Sequence, residues 1–154
     1  SYLLLRCYST MQSNWDETES GTHKISGITV HWDDKEHSVI CYHFVGLWEW
    51  YDFAQASTQV FHMMAEVPHD VSLIFDLHHS LDVPVGALRA VKQLVSYAPA
   101  NLDIIVIASD DKLTQQIFVN LLRLEKSLRK NITFSKSHED AKILLRKHSA
   151  GQVN

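Results

Sequence analysis

The stretch VSLIFDLHHSLDVPVGALRA, residues 71–90, decides how the rest of the chain is read. Its first part, VSLIFDL at 71–77, is a short and almost continuous apolar run rich in branched side chains. Strands buried on both faces of a sheet have this composition. Asp76 sits at the end of the run, His78, His79, Ser80 and Asp82 follow, and Pro84-Val85-Gly86 leads into the next segment. There, in VGALRAVKQLVSYA at 85–98, Val85, Leu88, Val91, Leu94, Val95 and Ala98 recur at helical spacing, and Pro99 stops the pattern. A buried strand, a polar loop and an amphipathic helix make one β–α unit of a layered α/β domain.

The segments on either side extend that unit. LDIIVIA at 102–108 is a second buried-strand run. Upstream, ITVHWD at 28–33 alternates, DDKEH at 33–37 reads as a polar turn, and SVICYHFVG at 38–46 alternates again, which predicts a hairpin. Its second strand places Val39, Cys41, His43 and Val45 on one side and Ile40, Tyr42 and Phe44 on the other. Residues 49–67 then change period, with Trp50, Phe53, Ala54, Ser57, Val60, Phe61, Met64 and Val67 forming a helical stripe closed by Pro68. A further helix is predicted over 111–129 with Asp110 as its N-cap, then a short strand NITFSK, then a last helix opened by Ser137-His138-Glu139-Asp140, close to a capping box. The order β-β-α-β-α-β-α-β-α predicts an α/β sheet flanked by helices, mostly parallel after the N-terminal hairpin.

Composition sets the bounds. The 154 residues, 45% hydrophobic, suit one domain that buries a core without staples. Residues 1–20 read as a leader or truncation remnant and 21–154 as a single domain, because the chain starts at Ser1 and YLLL at 2–5 has neither the length nor the flank of a signal peptide. No run approaches the roughly 20 apolar residues of a membrane span. Cys7 and Cys41 make no metal motif, and reduced thiols in a cytoplasmic protein are expected rather than a disulfide. Net charge is −4 but uneven: residues 1–77 carry 3 basic and 11 acidic side chains, residues 78–154 carry 11 basic and 7 acidic. The basic residues are interleaved with Glu125, Glu139 and Asp140, so they read as solvated helix faces and no nucleic-acid partner is expected.

The element order, the strand LIFDL ending near an aspartate and the loop with Gly86 at the start of the next helix together resemble the STAS domain, the fold of the anti-sigma-factor antagonists. The resemblance spans about residues 28–148, and a divergent branch of that fold, related to lipid-binding CRAL-TRIO modules, is the nearer match. It implies a non-enzymatic regulatory module that engages a protein partner of a signalling system. The antagonists resemble Asp-Ser-Ser-Gly at this helix start, and a partner kinase phosphorylates the serine before the glycine. Here the four residues are Val83-Pro84-Val85-Gly86, so the phosphoswitch is missing from its usual position. Ser80 is the nearest hydroxyl, six residues before the glycine.

The candidate binding residues are therefore Asp76, His78, His79, Ser80, Asp82 and Gly86, beyond the carboxyl end of a central strand where open α/β sheets hold ligands. Pro84 suits a first helical turn, and the unpaired N–H groups there favour a small anionic ligand or a partner's carboxylate. An exposed turn with Asp82 capping the helix accounts for the same residues. Trp48, Trp50, Tyr51 and Phe53 exceed what one core stripe needs. Trp48 and Trp50 are accordingly candidates for the wall of a small-ligand or lipid cavity, with packing on the leader or in a homodimer as further uses. No catalytic set is assigned: G-x-S-x-G, G-x-G-x-x-G and G-x-x-x-x-G-K-[ST] are absent, leaving a hydrolase that pairs Asp76 with His78 or His79 as the weakest reading. Ten histidines without ligand spacing give no metal site and no cofactor, although His31 and His43 can be neighbours on the hairpin.

Overall fold

A computed structural model describes residues 27–152, and the elements within them follow the predicted order. Strands β1 (Gly27–Trp32) and β2 (Val39–Gly46) form the antiparallel hairpin. Its turn is held by the Asp34 carboxylate, which accepts the backbone N–H groups of Ser38 at 2.9 Å and Val39 at 3.0 Å as well as the Ser38 hydroxyl. Next come α1 (Trp50–Ala65), β3 (Val71–Ser80), α2 (Ala87–Tyr97), β4 (Leu102–Ala108), α3 (Lys112–Leu124), a 3-10 turn (Lys126–Leu128), β5 (Ile132–Ser135) and α4 (His138–Gln152). Spatial order along the sheet equals chain order, and every pair after the hairpin is parallel.

Because side chains alternate along a strand, each face of the sheet has its own core. One face offers Ile40, Tyr42 and Phe44 from β2, Leu73, Phe75 and Leu77 from β3, and Ile105 and Ile107 from β4. These pack with Phe53, Val60 and Met64 of α1, Val91 and Leu94 of α2, and Phe118 and Leu121 of α3. Ring contacts tie this core together: Tyr42 meets Phe75 edge-on at 4.8 Å, and Phe53 meets Phe75 at 5.6 Å. The buried Tyr42 hydroxyl pairs with Ser57 Oγ at 3.0 Å, and burial pushes its ionisation well above the ordinary tyrosine range. The opposite face is thinner. Among the described residues, Cys41, Ile74, Val106 and Ala108 pack there against Ala141 and Leu145 of α4.

Four boundaries differ from the sequence reading. β3 continues through His78, His79 and Ser80, because Val45 and Gly46 of β2 keep pairing with His79 and Ser80 after a bulge. α2 starts at Ala87, so Pro84 lies before the helix and not in its first turn. Asp111, not Asp110, caps α3: its carboxylate accepts the Thr114 N–H at 2.8 Å, a bond that holds the group below the usual carboxylate range. α3 ends at Leu124, and Leu128 reaches the core from the 3-10 turn. At α4 the Ser137 hydroxyl accepts the Asp140 N–H at 3.1 Å, as the near-capping box predicts. The proposed leader, with Cys7, lies outside the described residues.

Candidate functional site

Two adjacent parallel strands end side by side, and that fixes the rim on which the sequence reading centred. Gly46 pairs with Ser80, and the Leu81 N–H then donates to the Gly46 carbonyl at 3.0 Å. The β2–α1 and β3–α2 connections therefore leave the sheet together. Two indoles strap them. Trp48 Nε1 donates to Ser80 Oγ at 2.8 Å, and Ser80 Oγ donates onward to the Asp82 carbonyl at 2.8 Å. Trp50 Nε1 donates to the carbonyls of Pro84 at 3.1 Å and Val85 at 2.9 Å. The Asp82 carboxylate accepts the N–H of Val83 at 2.8 Å, so it shapes the loop and does not cap α2. Gly86 is the α2 N-cap in a left-handed conformation, φ +110°, with no side chain capping the helix.

The strapping leaves the tip open. His78, His79, Asp82 and Gly86 are exposed; Val83 turns into the core. Val85 is 100% exposed, Leu81 76% and Leu47 67%, three apolar side chains on the two connections that leave the strands. Val85, the residue before Gly86, has no hydroxyl. The hydroxyl of Ser80 is already engaged on both sides.

The aromatics do other work than the cavity walls expected of a carrier. Trp48 is buried against Phe44, ring centres 4.8 Å apart, and Trp50 meets Trp48 and Phe53 edge-on. The pocket that Trp50 lines, with Phe53, Phe61 and Leu94, holds only about 50 Å³, far below the roughly 300–1,000 Å³ of ligand sites. Tyr51 is the ring left facing solvent.

Asp76 belongs to a different group from the rest. Its side chain points to the α4 face, where one oxygen accepts the His78 backbone N–H at 3.1 Å and the other lies 3.3 Å from His43 Nδ1. His43, not the side chains of His78 or His79, is thus its imidazole partner; His78 instead approaches Asp110 at 3.8 Å. The hairpin register brings His31 diagonally beside His43, rings stacked at 4.9 Å, and Cys41 stands two residues before His43 on the same face. His138, at the start of α4, donates from Nε2 to the Asp33 carboxylate at 2.9 Å, with its ring 6.0 Å from His43. Burial lowers the proton affinity of His43, Asp76 raises it, and His31 and His138 lower it again; the net direction is down. Burial, aided by Asp33 and Asp76, pushes the Cys41 thiol far above its ordinary range. Beside this cluster a groove of about 900 Å³ runs along α4, lined by Asp33, Asp34, Asp103, Lys142 and Arg146 among others.

Sequence spacing missed this grouping because its members come from three strands and a helix. The period-two alternation on β2 and the adjacency of His31 and His43 were the visible signals; the β2–β3 register was not.

A mixed sheet in chain order, with a hairpin edge and helices on both faces, is a SpoIIAA-like, that is STAS-like, α/β fold. The crystal structure of an uncharacterized protein from the DUF3478 family with a SpoIIAA-like fold, from Shewanella loihica PV-4, is similar to this chain with a TM-score of 0.59, covering 82% of this chain and 99% of that one. The two are 12% identical, so the likeness is one of fold. No family model and no curated protein matches the chain. Among the described residues no helix is long and apolar enough to cross a membrane.

Proposed function

We propose that this chain is a non-enzymatic STAS-like binding module of the cytosol that engages a protein partner through residues 78–86. The observation that carries the reading is the strapped, apolar-tipped rim: Leu47, Leu81 and Val85 stand exposed on connections whose backbone Trp48 and Trp50 hold fixed. Exposed apolar groups gathered in one place mark contact surfaces, whereas scattered ones do not. A loop already held in one shape loses little entropy on binding, so more of the contact energy reaches the affinity. The uncapped α2 tip beside it suits a carboxylate of the partner. The pocket at Trp50 is only about 50 Å³, too small to hold a lipid between those rings.

The test is capture of a partner by the wild-type chain, compared with Leu81→Asp/Val85→Asp and with His79→Ala/Asp82→Ala. Loss in the first pair, with retention by Leu124→Asp (another exposed leucine, at the C-terminal end of α3) supports the reading. Equal capture by all variants overturns it. Sedimentation of the pure protein distinguishes a second copy as the occupant, since the Leu81→Asp/Val85→Asp chain then becomes monomeric.

A further inference from the structure

We propose that Cys41 Sγ, His43 Nδ1 and the Asp76 carboxylate form a binding site for a divalent transition metal of the zinc class, separate from the rim at 78–86. The three side chains project from one face of two adjacent central strands, His43 opposite Asp76 in the parallel register and Cys41 one alternation earlier. One donor atom from each lies within 4.8 Å of the others. The His43 Nδ1 to Asp76 Oδ2 separation of 3.3 Å is about that of two ligands on a tetrahedral zinc with bonds of roughly 2.0–2.1 Å. Pairing on each side holds the backbone of both strands, so the remaining approach of Cys41 is assigned to rotation of its side chain.

The donor set selects the ion. Sulfur and imidazole with a single carboxylate disfavour magnesium and calcium, which take oxygen shells, and suit zinc or cobalt. Binding converts the Cys41 S–H into a metal–sulfur bond and releases its proton to solvent. Thiolate and carboxylate then balance the 2+ charge, so the buried group is neutral as a whole. That answers the cost of placing a carboxylate at a site only 8% exposed. Asp76 also has the outer contact that ligating carboxylates use: its second oxygen is held by the His78 N–H. Cys41 is fully buried, whereas His43 and His31 are partly exposed, so the ion enters from the β1 side and its fourth position faces water beside the stacked His31 ring.

Cobalt titration of the metal-free full chain tests this, with Cys7→Ser as background so that Cys41 is the single thiol. One cobalt per chain, a thiolate-to-cobalt charge-transfer band, its displacement by zinc, and a melting temperature raised by about 5–10 °C at zinc one-hundredfold above Kd are expected. Cys41→Ala loses the band, and Cys41→Ala and His43→Gln each lower affinity at least tenfold, while His78→Gln/His79→Gln changes nothing. Should Cys41→Ala fail to fold, His43→Gln, at a half-exposed position, carries the same affinity test. The proposal is overturned by absence of the band, by zinc stabilisation that survives His43→Gln, or by binding that disappears in His78→Gln/His79→Gln instead. Capture of a partner through the rim is read separately and does not depend on these outcomes.

Discussion

The two faces of the sheet are built on different terms. Among the described residues, one is covered by α1, α2 and α3 and closes around Tyr42, Phe44, Phe53 and Phe75, and the other is covered by α4. Under three helices every inward side chain is apolar or has its hydroxyl paired, as Tyr42 does with Ser57. Under one helix the same strands carry Cys41, His43 and Asp76 on alternate positions, and the β1–β2 edge leaves His31 and His43 partly open. A thick layer enforces dryness. A thin one leaves room for polar groups next to solvent, and the chain's chemistry-bearing side chains have collected there.

Truncation is the strongest way to break that contrast. Phe75→Ala, at a ring that touches Tyr42, Phe44 and Phe53, is expected to cost about 3–5 kcal/mol in urea unfolding. Leu145→Ala, on the single-helix face, is expected to cost about 2–3 kcal/mol, since the thin layer can settle into the space. Equal losses would mean that the two layers are packed alike.

The rim gives a smaller effect. A Cβ at residue 86 would meet the Trp50 ring only at ordinary contact, 3.5 Å, so Gly86→Ala is charged for its φ of +110° alone. About 1–2 kcal/mol is expected. A loss several times larger would show that the indole, not the backbone, sets the geometry there.

The smallest effect separates the faces by pH. With its proton affinity lowered on folding, His43 binds more protons in the unfolded chain than in the native one. Its contribution is therefore complete above the ordinary histidine value of about 6.5 and is lost as pH falls below it toward the native value. In metal-free protein, His43→Asn is expected to flatten the dependence of stability on pH between about 7 and 5. An unchanged slope would assign the dependence to other groups.

Most of the element order was legible because each segment states its own period. VSLIFDL and LDIIVIA are short, branched apolar runs that read as buried strands, and the stripes on 49–67 and 85–98 read as helices packed along one side. The extension of β3 through Ser80 was not legible: His78, His79 and Ser80 have no strand-like alternation, and pairing with Val45 and Gly46 holds them in line. Capping by Asp111 instead of Asp110 is a one-residue choice between like neighbours, decided by which carboxylate reaches Thr114.

The site divides in the same way. Asp82, Gly86 and the exposed histidines stood in one stretch, so the sequence by itself marked the loop, and Trp48 and Trp50 were visible as an excess of rings. That the indoles strap this loop, and that Asp76 turns away from it to His43, depended on strand register and on which layer covers which face. Local composition determines what each segment can become, because propensity and periodicity act over a few residues. Which distant side chains meet is decided only when the strands pair, since a shift of one residue would send Cys41, His43 and Asp76 to the opposite face.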